Sequence, residues 1–421
     1  MNILESDEKA EVEQTTSWPR VALIVFAGMV VAFQIGKVPP VLALLRAEFG
    51  FGLVASGWLI SIFSLVVMTV GVAGGALADR IGPRRLMLIG LGLSAAAAGA
   101  GALATAPWWL FVTRLVEGGG FLLCVVSAPV LLLACSAPRH RRMVFGLWAV
   151  YMPAGLALAM ASAGPLAASF GWRTVWGVSA LLLVAGLAAA FTKLPPDRAP
   201  GTAAVGSSGT GRRDDRFAIL VVRVVTSPAP VLLAATFALY TFQFMGVIGF
   251  LPYWLVELRG YDPAAASAMA AVAVLANAAG NLLGGALMMR GVGTGALVVL
   301  GSAVMAVAAF VIYPGTMADP VRFVAVIMLS LAGGMIPAAL LAAVPHAAPD
   351  AATIGAANGL LVQGSHTGQI FGPPALAAWV AFAGGWSMAP LLLASAAAVA
   401  AILGVAAGHR IARKEAGRAG A

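Results

Sequence analysis

Twelve stretches of this chain are each long and apolar enough to cross about 30 Å of hydrocarbon, and that leaves few folds open. They fall at approximately 20–44, 53–77, 86–105, 108–133, 143–168 and 172–193, then at 229–256, 264–289, 294–313, 321–344, 353–380 and 385–408. A Gly-, Ser-, Pro- and Arg-rich interval at 194–228 separates the two sets of six and reads as a linker. Inside a bilayer each span must satisfy its own backbone hydrogen bonds, so the stretches are expected to be helices.

Composition agrees: 61% of the residues are hydrophobic and 10% charged, against about 25% charged in soluble domains. A pI near 10.2 could suggest nucleic acid, but the basic residues flank the spans, where the positive-inside rule accounts for them. With both termini on the cytoplasmic side, that side receives Lys9, Arg20, Arg80, Arg84, Arg85, the 139–142 arginines, Lys193, most linker arginines, Arg290 and the arginines after 409. The outer loops hold only Arg46, Arg173, Arg259 and Arg322. Residues 1–19, which carry Glu5, Asp7, Glu8, Glu11 and Glu13, lack the basic start and small-residue cleavage site of a signal peptide and read as a cytoplasmic tail, as do residues 409–421. Alanine and glycine richness with two cysteines, Cys124 and Cys135, suits a bacterial inner membrane and offers neither a disulfide framework nor a zinc site.

The two halves repeat at an offset of about 210 residues. Gly284-Gly285-Ala286-Leu287-Met288-Met289-Arg290 matches Gly74-Gly75-Ala76-Leu77-Ala78-Asp79-Arg80, with Met289 replacing the acid. Gly164-Pro165 and Gly372-Pro373 also correspond, each followed by a Gly-Trp pair. The expected fold is therefore all-α and polytopic, with 12 transmembrane helices in two pseudo-symmetric six-helix bundles, residues 20–193 and 229–408. Such repeats place a solute site between the halves near mid-membrane.

Residues 74–85, which continue through Ile81-Gly82-Pro83-Arg84-Arg85, resemble the G-x-L-a-D-r-x-G-r-r signature of the major facilitator superfamily, departing from it at Pro83. The resemblance covers about residues 20–408 and implies the superfamily's two-bundle fold, transport by alternating access and function as a single chain. It makes Gly75, Asp79, Arg80, Gly82, Arg84 and Arg85 a gating turn between the second and third spans, with Asp79 stabilising the outward-facing state. Residues 110–120 resemble a second signature, L-x3-R-x2-q-G-x-G, with Glu117 where glutamine is usual. This resemblance associates Arg114 with proton or solute handling. Lys37-Val38-Pro39-Pro40 is similar to the cyanate-permease-like branch of the same superfamily.

Charges inside the bilayer are costly and usually face a cavity or a partner, so the few that occur are the site candidates. Lys37 and Gln34 lie in the first span, Lys37 about 25 Å along a helix beginning at Arg20. Arg114 and Glu117 lie one turn apart on one face of the fourth span. Lys37 either snorkels to the outer surface or enters the cavity; Arg114 either pairs with Glu117, bonds a backbone carbonyl of the first span, or handles solute. If Glu117 is ionised, these three carry net charge +1, which favours an anion. Glu117 is the intramembrane carboxyl best placed to carry a proton, and His366 is a second candidate. The second half contributes neutral groups: Tyr240 and Gln243 in the seventh span, Asn277 and Asn281 in the eighth, and a Gln363, His366, Gln369 stripe in the eleventh, on a glycine-rich helix suited to close packing. Pro39-Pro40 and Pro252 are expected to break or bend their helices.

No GxxxxGK[ST] phosphate loop, HExxH or Cys/His ligand set occurs, so ATP drive by this chain, an enzyme, a metal and a cofactor are not expected. The expected function is secondary active transport of a small anionic organic solute, coupled to protons. The alternative is a proton-antiport exporter of drugs, siderophores or other amphiphiles; the fifth span lacks paired glycines shortly after Gly164-Pro165, which weakens a drug-antiporter signature. A non-transporting membrane sensor is a more distant possibility. The partners expected are solute, protons and the lipid bilayer.

Overall fold

The structure is a computed structural model that describes residues 15–71, 81–197 and 219–419, with side chains as far as 415. Among the described residues there are helices and no strands, and the long helices make twelve passes. The first pass runs from Trp18 to Phe49, and the second covers Leu53–Val70. The third to sixth are Pro83–Ala102, Pro107–Ala134, Tyr151–Phe170 and Trp172–Lys193. The seventh to twelfth are Pro228–Arg259, Pro263–Met289, Thr294–Ile312, Asp319–Ala347, Ile354–Phe382 and Ala389–Ala419.

Eleven of the passes are long and apolar enough to cross a membrane. The eleventh pass has the length, at 29 residues, but Asn358, Gln363, Ser365, His366, Thr367 and Gln369 dilute its apolarity. It is tolerable because its polar face is covered: Gly364, Gly368 and Gly372 lie against the carbonyls of Ala234, Ala238 and Phe242 on the seventh pass, where a Cβ would collide. The hydroxyl of Thr241 donates to the Ser365 carbonyl at 2.7 Å across the same seam. Small residues let the two backbones approach this closely.

Helix pairing repeats between the halves. The first pass packs on the fifth and sixth, as the seventh does on the eleventh and twelfth; the third packs on the fourth and sixth, as the ninth does on the tenth and twelfth. Two interruptions break this regularity. Pro39–Val41 forms a 3-10 turn in the first pass, because Pro39 and Pro40 have no N–H for the helical ladder. A second 3-10 turn, Ile62–Ser64, interrupts the second pass. Pro252, by contrast, lies within one continuous helix. Residues 219–225, inside the interval read as linker, are also helical, and the twelfth helix runs on through the expected C-terminal tail to Ala419.

The halves meet at the face opposite the chain's start. There the Gly164 N–H donates to Ser267 Oγ at 3.1 Å, Gly57 packs on Pro374, and the Arg46 guanidinium lies 4.7 Å from the centre of the Tyr253 ring. The other arginines expected at this face also have partners: Arg173 pairs with Glu48 at 2.7 Å, Arg259 with Asp319, and Arg322 donates to the Ile312 carbonyl.

Of the signature turn, Gly75, Asp79 and Arg80 lie outside the described residues. Gly82 has φ of 97°, a conformation that favours glycine. It precedes the third pass, whose first N–H groups find an acceptor from far along the chain. The Asp197 carboxylate accepts from the backbone N–H of Arg84 at 2.9 Å and of Arg85 at 3.0 Å. The Arg84 side chain donates to the carbonyls of Phe191 at 2.7 Å and Leu194 at 3.1 Å. The turn thus anchors the beginning of the linker.

Two outcomes follow. Asp197→Ala removes a helix cap and is expected to cost about 0.5–2 kcal/mol, read as a lowered midpoint in thermal denaturation; an unchanged midpoint would show that the cap contributes nothing. Gly164→Leu overpacks the closed face by ~1–3 kcal/mol. It should shift the population towards a state open at that face by about 5- to 150-fold, seen as faster maleimide labelling of a Ser267→Cys probe. Equal labelling rates with and without the leucine would contradict this reading of the interface.

Candidate functional site

The fourth pass brings the charged cluster together. Arg114 and Glu117 are three residues apart, so they stack on one face of the helix, and the Glu117 carboxylate divides its two oxygens between two cations. Lys37 Nζ donates to Oε1 at 2.6 Å and Arg114 Nη1 to Oε2 at 2.7 Å. All three side chains have no exposed surface. Lys37 therefore does not snorkel. Its ammonium also donates to Gln34 Oε1 at 2.7 Å, reaches Ser179 Oγ at 3.4 Å and lies 4.5 Å from the centre of the Trp176 ring. It can point inward because the helix ends at Gly36 and the chain turns at Pro39–Val41. The Gln34 carbonyl accepts a bond from Arg114 Nη1, so Gln34 serves both cations.

An isolated charge buried this deeply would cost several kcal/mol, and a buried ion pair persists only when its hydrogen bonds are nearly complete. This cluster is nearly complete, with one exception on Arg114. Its Nη1 is occupied, but Nε and Nη2 are buried without a partner among the described residues. The guanidinium carbon lies 4.9 Å from the centre of the Phe63 ring.

The neutral candidates form a separate group in the second half. Asn277 Nδ2 donates to Tyr240 Oη at 2.8 Å and to the Ser330 carbonyl at 3.0 Å, linking the seventh, eighth and tenth passes. Gln243 is buried and donates to the Leu239 carbonyl of its own helix at 3.0 Å. Asn281 turns back on the Asn277 carbonyl at 3.2 Å. Gln363 is half-buried, towards the start of the eleventh pass.

Between these groups lies a seam that joins the halves. The Phe63 and Phe121 rings meet edge to face at 5.3 Å, and Phe121 meets the His366 ring at 6.2 Å. Ser64 Oγ donates to Gln369 Oε1 at 3.2 Å. His366 is buried, and its Nδ1 has no partner among the described residues. Sequence reasoning missed Trp176, Ser179, Phe63 and Phe121, since aromatic and hydroxyl residues within apolar runs have no distinguishing spacing. The helix break at Ile62–Ser64 has no proline to announce it. No group of His, Cys, Asp and Glu among the described residues could hold a metal ion, and Cys124 and Cys135 are free thiols.

Comparisons with known proteins agree with this architecture. Residues 24–354 match the family model of the Major Facilitator Superfamily. The chain is 29% identical over 192 residues to the methylenomycin A resistance protein of Bacillus subtilis strain 168, covering 45% of this chain and 41% of that protein. It is 27% identical over 193 residues to the multidrug efflux pump LfrA of Mycolicibacterium smegmatis, covering 44% and 37%. These alignments span less than half the length of either relative. The fold is that of a bacterial homologue of the human lysosomal transporter Spinster, crystallised in an inward-facing and unoccupied conformation, with a TM-score of 0.76 and 15% identity over 94% of this chain and 97% of that one. With twelve helical passes among the described residues, the repeated pairing and a family match over most of its length, the chain belongs to the Major Facilitator Superfamily.

Proposed function

We propose that this protein is a proton-coupled secondary transporter of a small anionic organic solute, working as a single chain in the bacterial inner membrane with both termini cytoplasmic. The observation that carries this reading is the single carboxylate shared by two buried cations. With Glu117 ionised the cluster holds net charge +1, and with Glu117 protonated, +2. An anion is bound more tightly by the second form, and by linkage the anion tightens proton binding in return. The two ligands therefore move together in whichever direction their combined gradient runs. A cationic solute fares worse, because both Glu117 oxygens are occupied and it would have to displace Lys37 or Arg114. In this reading Gln34 positions the cations, while Tyr240, Gln243, Asn277, Gln363 and His366 face the solute from the second half, with His366 the second proton-bearing candidate. Orientation by the positive-inside rule puts the closed face outside.

A second reading is favoured by the relatives, whose names describe antibiotic resistance and multidrug efflux. It makes the protein a proton-antiport exporter of amphiphilic compounds, in which Lys37 is a structural partner of Glu117.

Proteoliposomes carrying an internal pH dye separate the two. Small carboxylates and cyanate-like anions are expected to drive proton flux that Lys37→Gln abolishes. A flux driven instead by lipophilic amines, and surviving in Lys37→Gln, would establish the exporter. Glu117→Gln is expected to abolish uphill accumulation under a proton gradient while solute exchange continues; full proton coupling in that variant would transfer the role to His366.

A further inference from the structure

Arg114 presents a specific geometry to its surroundings. A guanidinium has two edges able to grip a carboxylate with paired N–H bonds, and the side-on edge consists of Nε and Nη2. Glu117 and the Gln34 carbonyl both use Nη1. The Nε and Nη2 atoms, on one edge and both fully buried, are the unpartnered ones. They present donors only, so the complementary group is an acceptor-only, planar one, and the +1 cluster makes it an anion.

A run of rings starts at Arg114. Phe63 lies under the guanidinium, Phe121 meets Phe63, and His366 meets Phe121 from the other half with Nδ1 unpartnered. Phe63 owes its position to the Ile62–Ser64 turn, whose Ser64 reaches the second half at Gln369. Phe63, Phe121 and His366 thus form a chain of ring contacts from the guanidinium to a polar ring atom in the second half.

We infer that the free Nε/Nη2 edge of Arg114 is a carboxylate fork, and that Phe63, Phe121 and His366 select an aromatic body, so that the solute class is aryl carboxylates. This rests on the reading that Arg114 lines the solute site. It adds two specificity-determining residues, Phe63 and Phe121, to that site.

The test is calorimetric binding to the purified full chain in lipid nanodiscs at about pH 7.5, where carboxylates are ionised. The probes are benzoate, benzamide, cyclohexanecarboxylate and acetate. Benzoate is expected to bind about 10- to 100-fold more tightly than benzamide, as charge-assisted hydrogen bonds require. It should also bind about 2- to 10-fold more tightly than cyclohexanecarboxylate, as aromatic pairing requires. Arg114→Lys keeps the charge and loses the fork, and should remove most of the advantage over benzamide. Phe121→Leu should equalise benzoate and cyclohexanecarboxylate, and it keeps the test open if the lysine variant does not fold. Equal binding of benzoate and benzamide, or an aryl preference untouched in Phe121→Leu, overturns the inference. If aryl selectivity is absent but acetate or cyanate still drives Glu117-dependent proton flux in proteoliposomes, this inference alone falls. If no anion drives flux, the anion-transport reading falls with it.

Discussion

A fully buried carboxylate between two cations governs the middle of this molecule. Lys37 comes from the first pass, and Arg114 and Glu117 from the fourth, so their contacts fix how these two helices sit together. Coulomb attraction is strong where the effective dielectric is low, but so is the penalty for any charge left unmatched. The surrounding groups reduce that penalty one by one: the Gln34 side chain and Ser179 for the ammonium, the Gln34 carbonyl for the guanidinium, and the faces of Trp176 and Phe63 for both cations. Glutamine is usual at position 117 in the signature this stretch resembles. A glutamine there would leave Lys37 and Arg114 without an anion between them, so the glutamate offsets part of the cost of burying both cations.

The same economy explains the second half. It carries no comparable charge among its buried site groups, and its polar contacts are bonds from side chains to carbonyls and hydroxyls, as between Asn277, Tyr240 and Ser330. Those bonds lose little if solvent enters and gain little if it leaves. The halves therefore differ in character: one holds a buried cluster of charges, and the polar groups of the other are neutral. In the proposed alternating-access cycle a rocking motion would change what faces the cluster without breaking it, because both cations and the carboxylate belong to one half.

Much of the fold was legible because it follows from solvent. The apolar runs need no tertiary information, and the helices begin close to where the runs do, as at Trp108-Trp109 just inside Pro107–Ala134. Of the site, Lys37, Arg114 and Glu117 stood out because charges in hydrocarbon are rare, and spacing alone placed Arg114 and Glu117 on one face. Whether Lys37 pairs with Glu117 stayed open, since 80 residues separate them and a lysine stem can reach several positions. Phe63 and Phe121 were invisible for the opposite reason: in an apolar run an aromatic carries no mark of its role. Asp197 was also unmarked, lying in a linker whose composition suggested only flexibility.

The clearest tension lies between the relatives and the charge. Proteins named for antibiotic resistance and multidrug efflux share less than a third of their residues with this chain, over less than half of its length, and such overlap transmits fold more readily than solute. The charge is a property of this chain's own residues. A pocket for lipophilic cations needs an acceptor free to receive them, yet both oxygens of the Glu117 carboxylate are already taken. The buried atoms without a partner at the cluster and the seam are donors on Arg114, the indole N–H of Trp176 and a ring nitrogen on His366. Unspent donors suit an acceptor, and that is the ground on which the proposed anionic solute stands against the exporter reading.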